Sequence, residues 1–112
     1  MATQSTTLAF FVDQLNGAAL GAVSAKKMFG EYGLYLDGLM FALACDDRLF
    51  FKTKTMPDEL VDRYFGNRRP AYPGARGTSE LAADVLEDRE QLILLMKAVL
   101  AGLRAVPVKL RR

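Results

Sequence analysis

The sequence has no histidine, which removes at once the commonest general base and the commonest transition-metal ligand. It has a single cysteine, Cys45, so no disulfide forms within the chain and a thiolate zinc site of the usual kind cannot be assembled. The lack of a disulfide framework suits a reducing compartment. The opening stretch MATQSTTLAFFVDQLNGAALG has no basic n-region, and Asp13, Gln14 and Asn16 interrupt its apolar run, so it does not read as a secretory signal. No apolar stretch is long enough to span a bilayer. A cytoplasmic protein without membrane contact is expected. Charge of one sign is scarce as well: fifteen Lys and Arg stand against thirteen Asp and Glu, a net +2. That is too little for the strong field of a polyanion binder, so any basic function has to be local.

What is present suits one folded domain. The chain has 112 residues, 51% hydrophobic and 25% charged, and a fold of this size buries roughly two thirds of the surface its unfolded chain exposes. We expect a single domain over residues 1–106 and a basic tail over 107–112. After QSTT, the apolar residues Leu8, Phe11, Val12 and Leu15 share one helical face. Ser5, Thr6 or Thr7 is expected to cap that helix, and Asn16-Gly17 to stop it. An extended segment follows from Val23 to Phe29.

From Tyr32 the apolar period becomes two. Asp37-Gly38 between YGLYL and LMFALAC is a strong signal for a type I′ hairpin, and Asp46-Asp47 makes a second turn into RLFFK. Three antiparallel strands result: Tyr32 to Leu36, Leu39 to Cys45, and Arg48 to Lys52. Two-residue turns set Leu36 against Leu39, Leu34 against Phe41, and Leu43 against Phe50. One face then reads Tyr32, Leu34, Leu36, Leu39, Phe41, Leu43, Cys45 and Phe50. The other reads Gly33, Tyr35, Met40, Ala42, Ala44, Leu49 and Phe51.

Both faces are apolar, whereas an antiparallel sheet with one solvated side alternates. The helices in so short a chain cover only one of them. The uncovered face is expected to meet a partner, most simply a second copy of the chain, the alternative cover being the chain's own long side chains and termini. The candidate partner face is Leu34, Leu36, Leu39, Phe41, Leu43 and Phe50, or else Tyr35, Met40, Leu49 and Phe51.

Further on, a short helix is expected with Pro57 in its first turn and Asp58 and Glu59 placed to suit its dipole. Leu60, Val61, Tyr64 and Phe65 form its buried stripe and Gly66 its stop. Asn67 to Gly77 reads as a loop or edge strand. Thr78 to Ala82 is read as extended, followed by a turn. Asp88 and Gln91 then resemble a capping box before a long helix, whose apolar face is Leu92, Leu95, Met96, Val99, Leu100 and Leu103 and whose stop is Pro107.

No catalytic constellation emerges. Asp46-Asp47 lies in a turn and Asp58, Glu59 and Asp62 on the outer face of a helix, where solvated acids are ordinary. The neighbouring acids raise the pKa of Cys45 rather than activate it, and Ser5, Ser24 and Ser79 lie in no nucleophile motif. No catalytic, metal-binding or cofactor-binding residue is assigned. Lys26 and Lys27 beside Phe29, Tyr32 and Tyr35 mix cations and rings as nucleic-acid stacking platforms do, although aromatics also suit strands for packing reasons. The glycines Gly30, Gly33 and Gly38 match neither a dinucleotide fingerprint nor a P-loop. Arg68, Arg69 and Arg76, with Arg63 nearby in the sequence, form a second basic candidate.

The run KKMFGEYGLYLDGLMFALACDDRLFFK, Lys26 to Lys52, continued through AYPGARG to VLEDREQL, resembles the N-terminal domain family of TfoX, also called Sxy, the bacterial regulator of natural competence. The resemblance implies a two-layer α+β domain, an antiparallel sheet with helices packed on one face, similar to secretion chaperones. Full-length members carry a second, C-terminal domain and act with the cAMP receptor protein on competence promoters. This chain is expected to be the N-terminal domain alone. The matching positions Met28, Phe29, Gly30, Gly33, Leu34, Asp37 and Gly38 look fold-making, and the family pattern is not an enzyme signature. The expected function is therefore a non-enzymatic regulatory or adaptor domain, homodimeric, with an unidentified protein partner for which the transcription machinery is one candidate. The alternatives are a nucleic-acid-associated domain or a small-molecule enzyme.

Overall fold

A computed structural model describes residues 3–18, 22–28, 31–54, 56–65 and 77–104. The expectations for Phe29, Gly30, Gly66, Arg68, Arg69, Arg76, Pro107 and the 107–112 tail lie outside them. The order of elements is α1 (Ser5–Ala18), β1 (Val23–Met28), β2 (Glu31–Leu36), β3 (Leu39–Cys45), β4 (Arg48–Lys52), α2 (Asp58–Tyr64), β5 (Thr78–Glu80), α3 (Ala83–Leu86) and α4 (Arg89–Arg104). The five strands form one antiparallel sheet in the order β1-β2-β3-β4-β5. The fold is α+β.

Both hairpin turns have the backbone their residues favour. Asp37 and Gly38 have φ of 52° and 80°, and Asp46 and Asp47 have 53° and 62°. Positive φ at both central positions is the type I′ condition, and Asp tolerates the left-handed region better than most residues.

The pairing of β2 with β3 departs from the simple alternation. Leu36 faces Leu39 and Tyr35 faces Met40, but Leu34 faces Ala42 rather than Phe41. Phe41 is the extra residue of a β-bulge, and beyond it every side chain of β3 changes face relative to the expected register. The inner face therefore carries Leu34, Leu36, Ala42, Ala44, Leu49 and Phe51, all buried, joined by Phe41. Leu43, Cys45 and Phe50 pass to the outer face with Gly33 and Tyr35. The bulge has a packing reason: it turns the Phe41 ring inward, where it meets Phe51 edge-on with ring centroids 5.3 Å apart, a favourable aromatic geometry.

The helices lie over the inner face. Their buried residues (Phe11, Leu15 and Ala18 of α1, Val61 and Tyr64 of α2, Val85 and Leu86 of α3, and Leu92, Leu95, Met96, Val99 and Leu100 of α4) form one cluster with the inner-face side chains. Ala42 and Ala44 leave room on β3, the strand on which α4 packs.

Local details depart from the sequence expectations in four places. The first helix already includes Ser5, Thr6 and Thr7, and Leu8 N donates to the Gln4 carbonyl at 3.0 Å, so the hydroxyl residues sit in the first turn instead of before it. Pro57 occupies the N-cap position of α2, with φ −59° and ψ 143°, one residue earlier than a first-turn proline. The turn expected after Ala82 is the four-residue helix α3, with Val85 and Leu86 buried. Asn16, read as part of a stop, spans α1 to β1: its side-chain amide accepts from Val23 N at 2.9 Å and donates to Val23 O at 3.2 Å.

The start of α4 matches its capping residues. Asp88 accepts from Gln91 N at 3.2 Å and from Gln91 Nε2 at 2.9 Å. These bonds, the side-chain one first, hold the Asp88 carboxyl below its ordinary value. A carboxyl lowered in the folded state stabilises the fold above its unfolded pKa, and that contribution disappears as pH falls through the folded pKa. Gln91→Ala is expected to move the Asp88 titration, followed by carbon-detected NMR, back toward the ordinary carboxylate range. It should also shrink the acid-side loss of stability below about pH 4.

Candidate functional site

The outer face of the sheet is built by rows of paired residues. One row runs Lys26, Gly33, Leu43, Phe50, Glu80 from β1 to β5. In an adjacent row Ser24 pairs with Tyr35 and Tyr35 with Met40. Tyr35, Met40, Leu43 and Cys45 are half-buried. Phe50 is buried, at 2% exposure, yet stands outside the core cluster under the helices. Charged groups border the patch. Lys26 and Lys52 are exposed, and Arg48 Nη1 lies 3.6 Å from Glu80 Oε1, an open pair of small energetic weight.

Of the two sets of candidate partner residues, the bulge brings Tyr35, Met40, Leu43 and Phe50 together. It sends Leu34, Leu36, Phe41, Leu49 and Phe51 to the helix-covered side, while Leu39 is half-buried beside the first turn. Each of the two sets expected from simple alternation is thus divided between the faces.

One end of the outer face is tied to the N-terminal segment. Thr3 Oγ1 donates to Glu31 Oε1 at 3.1 Å and accepts from Asp47 N at 3.2 Å, Asp46 N donates to Glu31 Oε1 at 3.3 Å, and Gln4 N donates to Asp47 Oδ1 at 2.8 Å. Glu31, to which the sequence reading assigned no role, organises this corner. Burial first, then the charge and hydrogen bonding of Glu31, then the charge of Asp46, push the Cys45 thiol upward. Cys45 is a protonated thiol at neutral pH, the reverse of what a nucleophile needs. Two of the acids in this turn region thus make structural hydrogen bonds, while Asp58, Glu59 and Asp62 of α2 are exposed.

The basic candidates do not converge. Lys26 and Lys27 are both exposed, but they point to opposite faces: Lys26 pairs with Gly33 on the outer side and Lys27 with Tyr32 on the inner side. Tyr32 and Tyr35 are divided in the same way. A stacking platform needs its rings and cations on one surface. Arg63, on α2, instead lies over the ring of Tyr64, 6.0 Å from its centroid.

A groove of about 270 Å³ opens between the start of β3, the approach to α2 and the end of α4, lined among others by Met40, Phe41, Met56, Leu60 and Leu103, with Lys52 the charged side chain on its wall. Among the described residues its lining offers one cation and no acid–base pair. Among the described residues no three His, Cys, Asp or Glu side chains gather as metal ligands. No described helix is long and apolar enough to cross a membrane.

The run of residues that forms β1 to β4 and both type I′ turns falls within a family model described as the TfoX N-terminal domain, which matches residues 13–102. The chain belongs to this family. The TfoX N-terminal domain match takes in all five strands, α2, α3, nearly all of α4 and the second part of α1. A protein of Spirochaeta aurantia named "Uncharacterized 12.7 kDa protein in trpE 5'region" is 36% identical over 107 residues, covering 94% of this chain and 87% of that protein.

Proposed function

We propose that this TfoX N-terminal domain is a non-enzymatic regulatory or adaptor domain of the cytoplasm. It works by protein contact in transcriptional or competence-related control, and it self-associates through the outer face of its sheet. One observation carries the reading: every described helix sends its buried side chains to the inner face, while Tyr35, Met40 and Leu43 remain half-exposed on the other. Half-exposed apolar side chains gathered on a sheet face that no described helix covers mark an interaction surface.

Sedimentation equilibrium tests it. The wild-type chain is expected to sediment as a dimer at micromolar concentration, and Leu43→Glu, at the centre of the outer face, to weaken association at least tenfold without unfolding the domain. A wild-type chain that stays monomeric up to millimolar concentration contradicts the reading. The exposure of Lys26 and Lys27 supports a second reading, a nucleic-acid-associated domain. It requires binding to DNA or RNA that weakens steeply as salt rises, because counterions are released on binding.

A further inference from the structure

The β1 strand is an edge of the sheet, and its backbone shows where a further strand fits. Val23 N and Val23 O are both held by the Asn16 side chain, so these groups point away from β2. Along an antiparallel strand the outward-facing residues alternate, and the pairing of β1 with β2 runs without interruption from Val23 opposite Leu36 to Met28 opposite Glu31. Ala25 and Lys27 therefore also direct their N–H and C=O outward. Asn16 imitates a peptide group and closes the Val23 end. Ala25 and Lys27 are left as two successive open rungs, roughly 7 Å apart, and Ser24 through Lys27 are all exposed. Among the described residues no backbone bond engages them from outside the sheet.

We propose that this edge binds an extended segment of another protein by strand addition, and that Lys26 and Lys27 select a segment carrying two adjacent carboxylates. Strand addition draws affinity from main-chain hydrogen bonds and specificity from side chains along the edge. Lys26 and Lys27 lie on opposite faces, so successive residues of an incoming strand, which also alternate in face, meet one lysine each. Two neighbouring Asp or Glu residues satisfy both.

Antiparallel pairing with the β1 strand of a second copy is opposed by the same geometry. Antiparallel self-pairing that uses both open rungs centres on Lys26 and sets it directly opposite its copy. Centring on Lys27 opposes those lysines instead, and centring on Ala25 runs into the Asn16-held Val23. Like charges directly opposite destabilise a strand pair. The lysines that repel self-pairing, a common protection of edges, attract an acidic strand.

The inference rests on the chain being a protein-contact domain, but its surface is separate from the outer face. Loss of dimerisation in Leu43→Glu says nothing about the β1 edge, and the two readings fail separately.

The test is amide hydrogen exchange, read by NMR on the full chain. The probe is a capped octapeptide with two central glutamates flanked by valine and threonine; the control has two central lysines. With the glutamate peptide at millimolar concentration, exchange at the amides of Ala25 and Lys27 is expected to slow at least tenfold, with no change from the control. Ala25→Pro removes one outward N–H that β2 does not use, a substitution edge strands tolerate. It should abolish the protection while leaving the thermal melt near wild type. Lys26→Glu with Lys27→Glu keeps the backbone and should reverse the preference toward the lysine peptide.

Unchanged exchange at both amides, or an equal response to both peptides, overturns the proposal. So does protection of these two amides that grows with protein concentration alone, which makes the occupant a second copy. A single-stranded oligonucleotide that binds through the lysines while the glutamate peptide does not overturns it as well.

Discussion

Phe51→Ala is expected to destabilise the domain by about 3–5 kcal/mol, the usual range for removing a buried aromatic from a packed core. Phe51 is fully buried, and its ring lies between those of Phe41, at 5.3 Å, and Phe65, at 5.4 Å. The substitution therefore removes the middle member of the set that joins β3, β4 and the end of α2. Small side chains on neighbouring β3, Ala42 and Ala44, cannot refill the space without movement of the sheet. Against a net stability of about 5–15 kcal/mol for a domain, this is a large fraction. At about 4 °C per kcal/mol for a chain of this length, the Tm should fall by roughly 12–20 °C. Thermal unfolding followed by circular dichroism, with a urea titration to obtain the free energy, measures it. A loss below about 1 kcal/mol would contradict the placement of the ring.

Phe41→Glu is expected to be more damaging still, and it separates the bulged register from simple alternation. Phe41 is only 3% exposed and sits beneath the helices. Glutamate there loses the aromatic packing and also brings a carboxylate into largely apolar surroundings, while Lys52, on the wall of the adjoining groove, is itself exposed to solvent. A buried charge without an equally buried partner is among the few changes that reach beyond 4–5 kcal/mol, so the variant should be largely unfolded at 25 °C and lose the native circular dichroism signal. Under simple alternation Phe41 and Leu43 share a face, and the two glutamate variants would behave alike. With the bulge, Leu43→Glu should keep the wild-type spectrum and most of its stability while Phe41→Glu does not.

The turns were legible because their chemistry is local. Asp37-Gly38 and Asp46-Asp47 are short, and positive φ restricts which residues fit, so both hairpins follow from the sequence. The long helix was legible for a similar reason: Leu92, Leu95, Met96, Val99 and Leu100 repeat at helical spacing and Asp88 with Gln91 marks the start. The division of the sheet's two faces was not. In YGLYLDGLMFALAC nearly every position is apolar, so a slip of one residue leaves the hydrophobic pattern equally satisfied, and polarity carries no information about phase. Contact between Phe41 and Phe51, distant in sequence, selects the bulge.

The same limit explains the residues whose roles went unseen. Asn16 has the composition of a helix stop, and its bonds to Val23 exist only once the chain has turned back to start the sheet. Glu31 is an ordinary strand-edge acid until Thr3 and Asp46 arrive beside it. The short β5 is paired with β4 by non-local backbone bonds, and the buried hydrogen bond between Thr53 and Ser79, at 3.0 Å, joins the same two regions. The extended reading of Thr78 to Ala82 holds for β5, but its pairing with β4 is non-local and nothing in three residues announces it. Lys26 and Lys27 were visible as exposed charge, but their division between faces depends on the register of β1 against β2.

The claim that the outer sheet face is the contact surface is tested most directly by hydroxyl-radical footprinting across a concentration series, from nanomolar to hundreds of micromolar chain. Tyr35, Met40 and Leu43 are predicted to lose reactivity together as concentration rises, while Phe10 and Leu94, the exposed apolar side chains on the helices at 44% and 55% exposure, stay reactive. Constant reactivity at all five positions, or protection that falls on Phe10 and Leu94 instead, would contradict it.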